Sequence, residues 1–349
     1  MTKLPGARLR VLGAVALTVA FALTGCAATE SDTGEQAQTP VATALPAAEG
    51  TTQYPLTVQS RKEAVLEKRP ERIAVLGFST NLDVLEVLGV TPVYAQREEA
   101  EWEWRNKDWL AGIEVVDAGT RRDPVNVEGI AATNPDLILS LNYAVEDADY
   151  ERLSAIAPVL EKKADVSSDQ IDWRELQRLA GEALDLPAAS EQAIAKAERA
   201  IADVAARHPR FAGKTITIAT EYSSGLEYYT VAGGTAETFV RALGFMPNPL
   251  AESFVANPKI ASEQVRSLDA DALVVGYNSQ AIRAQREADQ LFQSIPAVAQ
   301  GRYTAVVAGE EGSGTNAIWV MRRGASALSL PWAAETVASV WLSKAGLTG

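Results

Sequence analysis

The sequence predicts an α/β protein of two Rossmann-like lobes with mainly parallel sheets, joined by one long α-helix. Three observations carry this. Short apolar runs alternate with amphipathic stretches from Arg72 to Val159. The alternation then gives way to helix alone. It resumes at Thr215 and runs towards the C-terminus. Strands that alternate with helices at this spacing form parallel sheets, because each crossover needs a helix to return the chain to the same edge.

The elements follow in order. Leu56–Val65 fits a short hairpin, and Arg72–Gly77 is a run typical of a buried strand. Leu82, Leu85 and Leu88 recur at helical spacing before Gly89 closes the helix. Strands are expected over 90–95, 115–117 and 136–140, with helices over 128–133 and 150–156. Trp173–Leu184 and then Ala189–His208 read as helices, the second with Ile194, Ala197, Ile201 and Val204 on one stripe. Twenty residues of helix span about 30 Å, enough to bridge two lobes. The second lobe is expected to hold strands at 215–220, 272–275 and 303–307. Its helices are expected at 235–243, 261–268, 285–292 and 324–342.

The N-terminus reads as an address. Lys3, Arg8 and Arg10 precede the apolar run Val11–Leu23, which is too short for a stable membrane anchor. Leu23-Thr24-Gly25-Cys26 resembles the lipobox of bacterial lipoproteins, in which the cysteine is lipidated and becomes the mature N-terminus. Loss of residues 1–25 removes those three cations and no acid, taking the net charge from −13 to −16. Residues 26–53, rich in Ala, Thr, Ser, Pro and Glu, form the expected flexible tether. The lobes then occupy 54–168 and 211–349, with the helical segment at 169–210 between them.

Composition excludes several functions. An acidic chain lacks the clustered cations that nucleic acid requires. The single cysteine rules out an internal disulfide, and the single histidine, His208, argues against a multi-imidazole zinc or manganese site. Gly77-Phe78-Ser79-Thr80-Asn81 lacks the last glycine of a nucleophile elbow, and a triad would need His208 from the bridging helix. No enzyme and no cofactor is expected.

Several ordered stretches resemble the substrate-binding proteins for ferric siderophores, haem and cobalamin. They are Pro70–Leu76 with Asp83–Val93, Glu128–Ile138, Tyr150–Val159, Ala261–Ala272 and Ser294–Tyr303. The resemblance spans about 54–345 and implies that ligand binds in the cleft between the two lobes. It implies a monomeric binding protein at the extracytoplasmic membrane face, which takes a ferric siderophore and delivers it to the membrane subunits of an ABC importer. Cobalamin and haem are the alternative ligands. It also implies that Glu128 and Glu263, one per lobe, dock on the importer, although a carboxylate at a helix start also favours the helix dipole.

Ligand-facing loops leave the C-terminal ends of strands in such sheets. The loops after the strands of the first lobe supply Phe78, Ser79, Arg97 and Tyr143, and the second lobe supplies Tyr222, Tyr228, Tyr229, Tyr277 and Asn278. Arg322 and Arg323 are expected in a loop before the last helix. Trp102, Trp104 and Trp109 fall within eight residues among charges, where they are either packing residues of a surface helix or an aromatic wall for a ligand. The ligand-binding candidates are Arg97, Trp102, Trp104, Tyr143, Tyr222, Tyr229, Tyr277, Asn278 and Arg322.

Overall fold

The computed structural model describes residues 45–97, 102–119, 123–163 and 171–347. Cys26 and the leader lie outside them. Strands β1 (Leu56–Gln59) and β2 (Glu63–Leu66) form an antiparallel hairpin. The first lobe is built on β3 (Ile73–Val75), β4 (Tyr94–Gln96), β5 (Val115–Asp117), β6 (Leu137–Ser140) and β7 (Val159–Glu161). Their order is β5-β4-β3-β6-β7, and every pairing is parallel. The central strands β3 and β6 are buried at every position, as a sheet covered on both faces requires.

The second lobe holds β8 (Ile216–Tyr222), β9 (Gly225–Tyr228), β10 (Lys259–Ile260), β11 (Ala272–Tyr277) and β12 (Tyr303–Val307), in the order β10-β9-β8-β11-β12. Here β8, β11 and β12 are parallel, whereas β9 and β10 add an antiparallel edge. The sequence reading missed that edge. Its only signal was Ser223-Ser224-Gly225, where Gly225 takes φ +124° to turn the chain.

The two sheets share no strand. Between them in the chain run two helices, Trp173–Ala183 and Pro187–Arg207. The second is the bridging helix, with Pro187 in its first turn and Ser190, Ile194, Ala197, Ile201 and Val204 buried along one face. Gly181 lets the two helices close on each other, since a Cβ there would fall 2.0 Å from Ser190 Oγ.

Part of the expected tether is held in place. Asp185, at φ +52° between those helices, accepts the backbone N–H of Gly50, Thr51 and Thr52 at 2.8–2.9 Å. Glu49 accepts from Ala188 and Ala189 at 2.6 and 2.9 Å, capping the bridging helix from outside it. Composition gives no hint of this, because the bonds use backbone donors.

Other expectations shift. The strand expected at 90–95 starts at Tyr94, after Pro92, which has no N–H to give a ladder. The helix expected at 285–292 is two short ones, Gln280–Glu287 and Gln290–Gln293, the second capped by Asp289. The helix expected at 261–268 is present as a 3-10 helix, Ser262–Leu268. Arg322 and Arg323 lie not in a loop but in a π-helical turn, Val320–Gly324, that continues Asn316–Trp319. No helix among the described residues is long and apolar enough to cross a membrane.

Candidate functional site

The C-terminal ends of the two parallel sheets carry the chemistry. In the first lobe, Gly77 follows β3 at φ +82°, and a Cβ there would lie 2.7 Å from Tyr143 Cβ, so only glycine admits the loop after β6 so closely. Asn81, fully buried, joins these two loops. Its amide donates to Leu76 O at 2.8 Å and to Asn142 Oδ1 at 2.7 Å, and its carbonyl accepts from Leu141 N at 2.8 Å. These bonds fix the loops that bear Phe78 and Tyr143.

An aromatic series then runs from one lobe to the other. Tyr143 meets Phe78 edge-on with ring centroids 5.7 Å apart, and Phe78 meets Trp319 at 5.1 Å. Trp319 stacks on Trp102 at 6.2 Å, Trp102 on Trp104 at 5.0 Å, and Trp104 leans on Trp332 at 5.1 Å. The sequence placed Trp102 and Trp104 together but not Trp319 or Trp332, which arrive from the far end of the chain.

A buried charge anchors this wall. Asp83 is fully buried and accepts from Arg105 Nη2 at 2.5 Å, Ser326 Oγ at 2.6 Å and Trp104 Nε1 at 3.2 Å. Arg105 Nη1 also reaches Glu86 at 3.0 Å. Burial pushes the Asp83 carboxyl up, and Arg105, Ser326 and Trp104 pull it back. Trp104 therefore holds the wall in place with its own N–H engaged. Nearby, Thr80 Oγ1 and Asn142 Nδ2 donate to Arg323 O at 3.2 and 3.4 Å, and Asn316 donates to the Glu103 carboxylate at 2.7 and 2.8 Å. The lobes thus meet through the segment Asn316–Ser329.

In the second lobe, Tyr222, Tyr229 and Arg322 come together. Arg322 Nη1 donates to Tyr222 Oη at 3.0 Å and Tyr229 Oη at 2.9 Å, while Nη2 lies 3.4 Å from Glu227. The two phenols also hydrogen-bond each other. Burial foremost raises the Tyr229 phenol, so it stays protonated. A pocket of about 280 Å3 opens beside Tyr229, Glu227 and Arg322.

Other candidates lie elsewhere. Tyr277 is only 2% exposed and spends its hydroxyl on Tyr303 at 2.8 Å, inside the core of the second lobe. It does not reach the cleft as the strand-end argument expected: alternation along β11 turns it inwards. Tyr228 is likewise buried, stacked on Phe254 at 4.6 Å. Asn278 and Arg97 are exposed at strand ends. His208 ends the bridging helix with its ring stacked on Phe211 at 5.1 Å.

Glu128 opens the helix Val127–Ala132 with its side chain 81% exposed, paired with Arg152 at 2.8 Å. Glu263 is exposed in the first turn of Ser262–Leu268. Each stands on a different lobe. Among the described residues, no group of three or more His, Cys, Asp or Glu is placed to hold a metal ion.

Solved structures share this architecture. A periplasmic solute-binding protein of Mycobacterium smegmatis superposes with a TM-score of 0.64 at 23% identity, covering 83% of this chain and 97% of its own. PiaA of Streptococcus pneumoniae, solved with ferrichrome, gives 0.66 at 19% identity over 83% of this chain and 98% of that one. SirA of Staphylococcus aureus, solved with staphyloferrin B, gives 0.64 at 17% over 81% and 97%. No curated protein matches the chain by sequence. The periplasmic binding protein family model matches residues 73–305, from β3 into β12, and the chain belongs to that family.

Proposed function

We propose that this protein captures a ferric siderophore between its two lobes and delivers it to an ABC importer. The observation that carries this reading is the aromatic series Tyr143–Phe78–Trp319–Trp102, contributed by both lobes where their strands end. Flat rings give a large contact area at small entropic cost, which suits the bulky, partly apolar shell of an iron chelate. Relatives of the same fold crystallised with ferrichrome and staphyloferrin B support the ligand class. Arg97, Trp102, Tyr143, Tyr222, Tyr229, Asn278 and Arg322 form the proposed contact set. Trp104 acts through Trp102, and Tyr277 is left out because its hydroxyl is already used in the core. Binding proteins make and break no bond in their ligand, so no catalytic residue is assigned.

Titration of tryptophan fluorescence with ferric siderophores, haem and cobalamin tests the ligand. Quenching by at least one iron siderophore is expected. A flat response to every iron complex with quenching by cobalamin overturns the proposal.

Glu128 and Glu263 are the proposed docking carboxylates, one on each lobe, and Cys26 the lipid-bearing residue that keeps the protein at the outer membrane face. Exposed carboxylates steer encounter and fix register. Uptake of the iron complex is expected to fall in cells carrying only Glu128→Ala with Glu263→Ala, and normal uptake counts against docking. Cys26→Ala is expected to release the protein from the membrane fraction.

A further inference from the structure

Ferric siderophores differ in charge according to the groups that hold the iron. Three hydroxamates balance ferric iron charge for charge and leave a neutral complex. Three catecholates leave a trianion, and carboxylate-type chelators leave anions. Relatives solved with ferrichrome and with staphyloferrin B superpose on this chain about equally well, so the fold does not choose between these classes. The charges and rings at the cleft do.

In the second lobe, Arg322 meets the Tyr222 and Tyr229 hydroxyls through Nη1 and lies 3.4 Å from the Glu227 carboxylate through Nη2. The Glu227 side chain is only 16% exposed, so water screens this pair incompletely and the carboxylate offsets the cation. The phenols add hydrogen-bonding capacity without charge, because burial keeps Tyr229 protonated. Arg323 lies over the Phe78 ring, its guanidinium carbon 5.7 Å from the centroid. Glu103, which accepts from Asn316, adjoins Trp102 in the chain. Along the wall, these two guanidiniums therefore stand against two carboxylates. Arg97 is exposed at the end of β4, and Glu98, Glu99 and Glu101 follow it in the sequence. Across the first lobe, the segments between each strand and its following helix (76–79, 97–106, 118–126, 141–146 and 162–172) hold more acids than bases.

The wall points the same way through different physics. Phe78, Tyr143, Trp102 and Trp319 are aromatic, and the face of such a ring is the negative part of its quadrupole. These faces attract cations and cover neutral apolar surface, but they repel anions. A trianion entering this cleft would lose hydration without enough positive charge to replace it.

We infer that the cleft selects a neutral ferric trihydroxamate over anionic ferric complexes, and that Glu227 sets this preference by offsetting Arg322. The inference rests on the siderophore reading and adds the chemical class of the ligand. Hydroxamate oxygens carry partial negative charge in a complex with no net charge, so Arg322 and a phenol can donate to them while the rings cover the apolar shell.

Equilibrium titration with two neutral trihydroxamates, ferrichrome and ferrioxamine E, and two anionic complexes, ferric enterobactin and ferric staphyloferrin B, tests this. At least one trihydroxamate is expected to bind at least about tenfold more tightly than either anion, the range of a few partly exposed charges left unmatched. Glu227→Gln removes the carboxylate charge and keeps the shape, and the margin is expected to narrow about threefold or more. Equal or tighter binding of an anionic complex by the unaltered protein overturns the inference and leaves the siderophore reading intact, and that comparison needs no variant. A margin unchanged in Glu227→Gln overturns the part assigned to Glu227. Failure of every ferric complex to bind overturns the siderophore reading itself, and this inference with it.

Discussion

The two lobes are alike at one end of their sheets and different at the other. Where strands begin, each lobe uses an aspartate just before one central strand to clamp the start of its neighbour. Asp136, before β6, accepts from Glu71 N and Arg72 N at 2.8–3.0 Å at the start of β3. Asp271, before β11, accepts from Thr215 N at 2.9 Å at the start of β8. Where strands end, the likeness stops. The first lobe welds its loops through the buried Asn81 amide, whereas the second meets the cleft with the tips of Tyr222, Tyr229 and Arg322. The closed face thus repeats the same solution, and the ligand face is where the halves diverge. Bonds between long side-chain tips can rearrange around a ligand, and bonds through buried backbone cannot do so without partial unfolding.

The largest expected effect lies where the lobes meet. Asp83→Ala removes one of the two carboxylates that Arg105 meets among the described residues, and removal of one partner from a buried pair costs about 3–5 kcal/mol. Chemical denaturation is expected to show that loss, and retention of full stability would mean that the lobes do not depend on this junction. Asn81→Ala comes next. It strands Leu141 N and Leu76 O in the interior, at about 1–3 kcal/mol for a buried group left unpaired. Arg322→Ala sharpens the contrast. It is expected to weaken ligand binding about tenfold, in keeping with a charge-assisted contact, yet to move the unfolding midpoint less than Asn81→Ala does. If Arg322→Ala destabilises the protein as much as Asn81→Ala, the distinction between a welded and an adaptable face fails.

The same division explains what the sequence made legible. Buried-strand runs such as Ile73–Val75 and Leu137–Ser140, and the stripe of the bridging helix, are written in local hydrophobic pattern, so the two sheets and their connector were readable. The antiparallel β9–β10 edge was not, because β10 is only two residues long and too short to show a period. The site was half readable. Strand ends pointed to Phe78, Tyr143 and Tyr222, but Trp319 and Trp332 join the wall through contacts more than two hundred residues from Trp102. Asp83, the anchor of that wall, reads in the sequence only as a helix-face acid, and its partner Arg105 lies across a chain reversal. Long-range pairing of this kind leaves no local signature.

The smallest expected effect tests the likeness rather than the difference. If the two strand-start clamps are equivalent, Asp136→Ala and Asp271→Ala should destabilise to a similar degree, each by about 0.5–1.5 kcal/mol, since both carboxylates are partly exposed. The Asp271 clamp also predicts a pH dependence. Partial burial pushes its carboxyl up, but the Thr215 N–H and the Lys214 ammonium outweigh this and hold it below the ordinary carboxylate value of 3.8. A group whose folded value is depressed adds stability above its unfolded value and loses it as pH falls through the folded one. The difference in melting temperature between the parent protein and Asp271→Asn should therefore be full at pH 7 and narrow as pH falls below about 4. A difference that stays constant down to pH 2 would mean that Asp271 acts through shape alone, and the clamp would no longer be an electrostatic device repeated in both lobes.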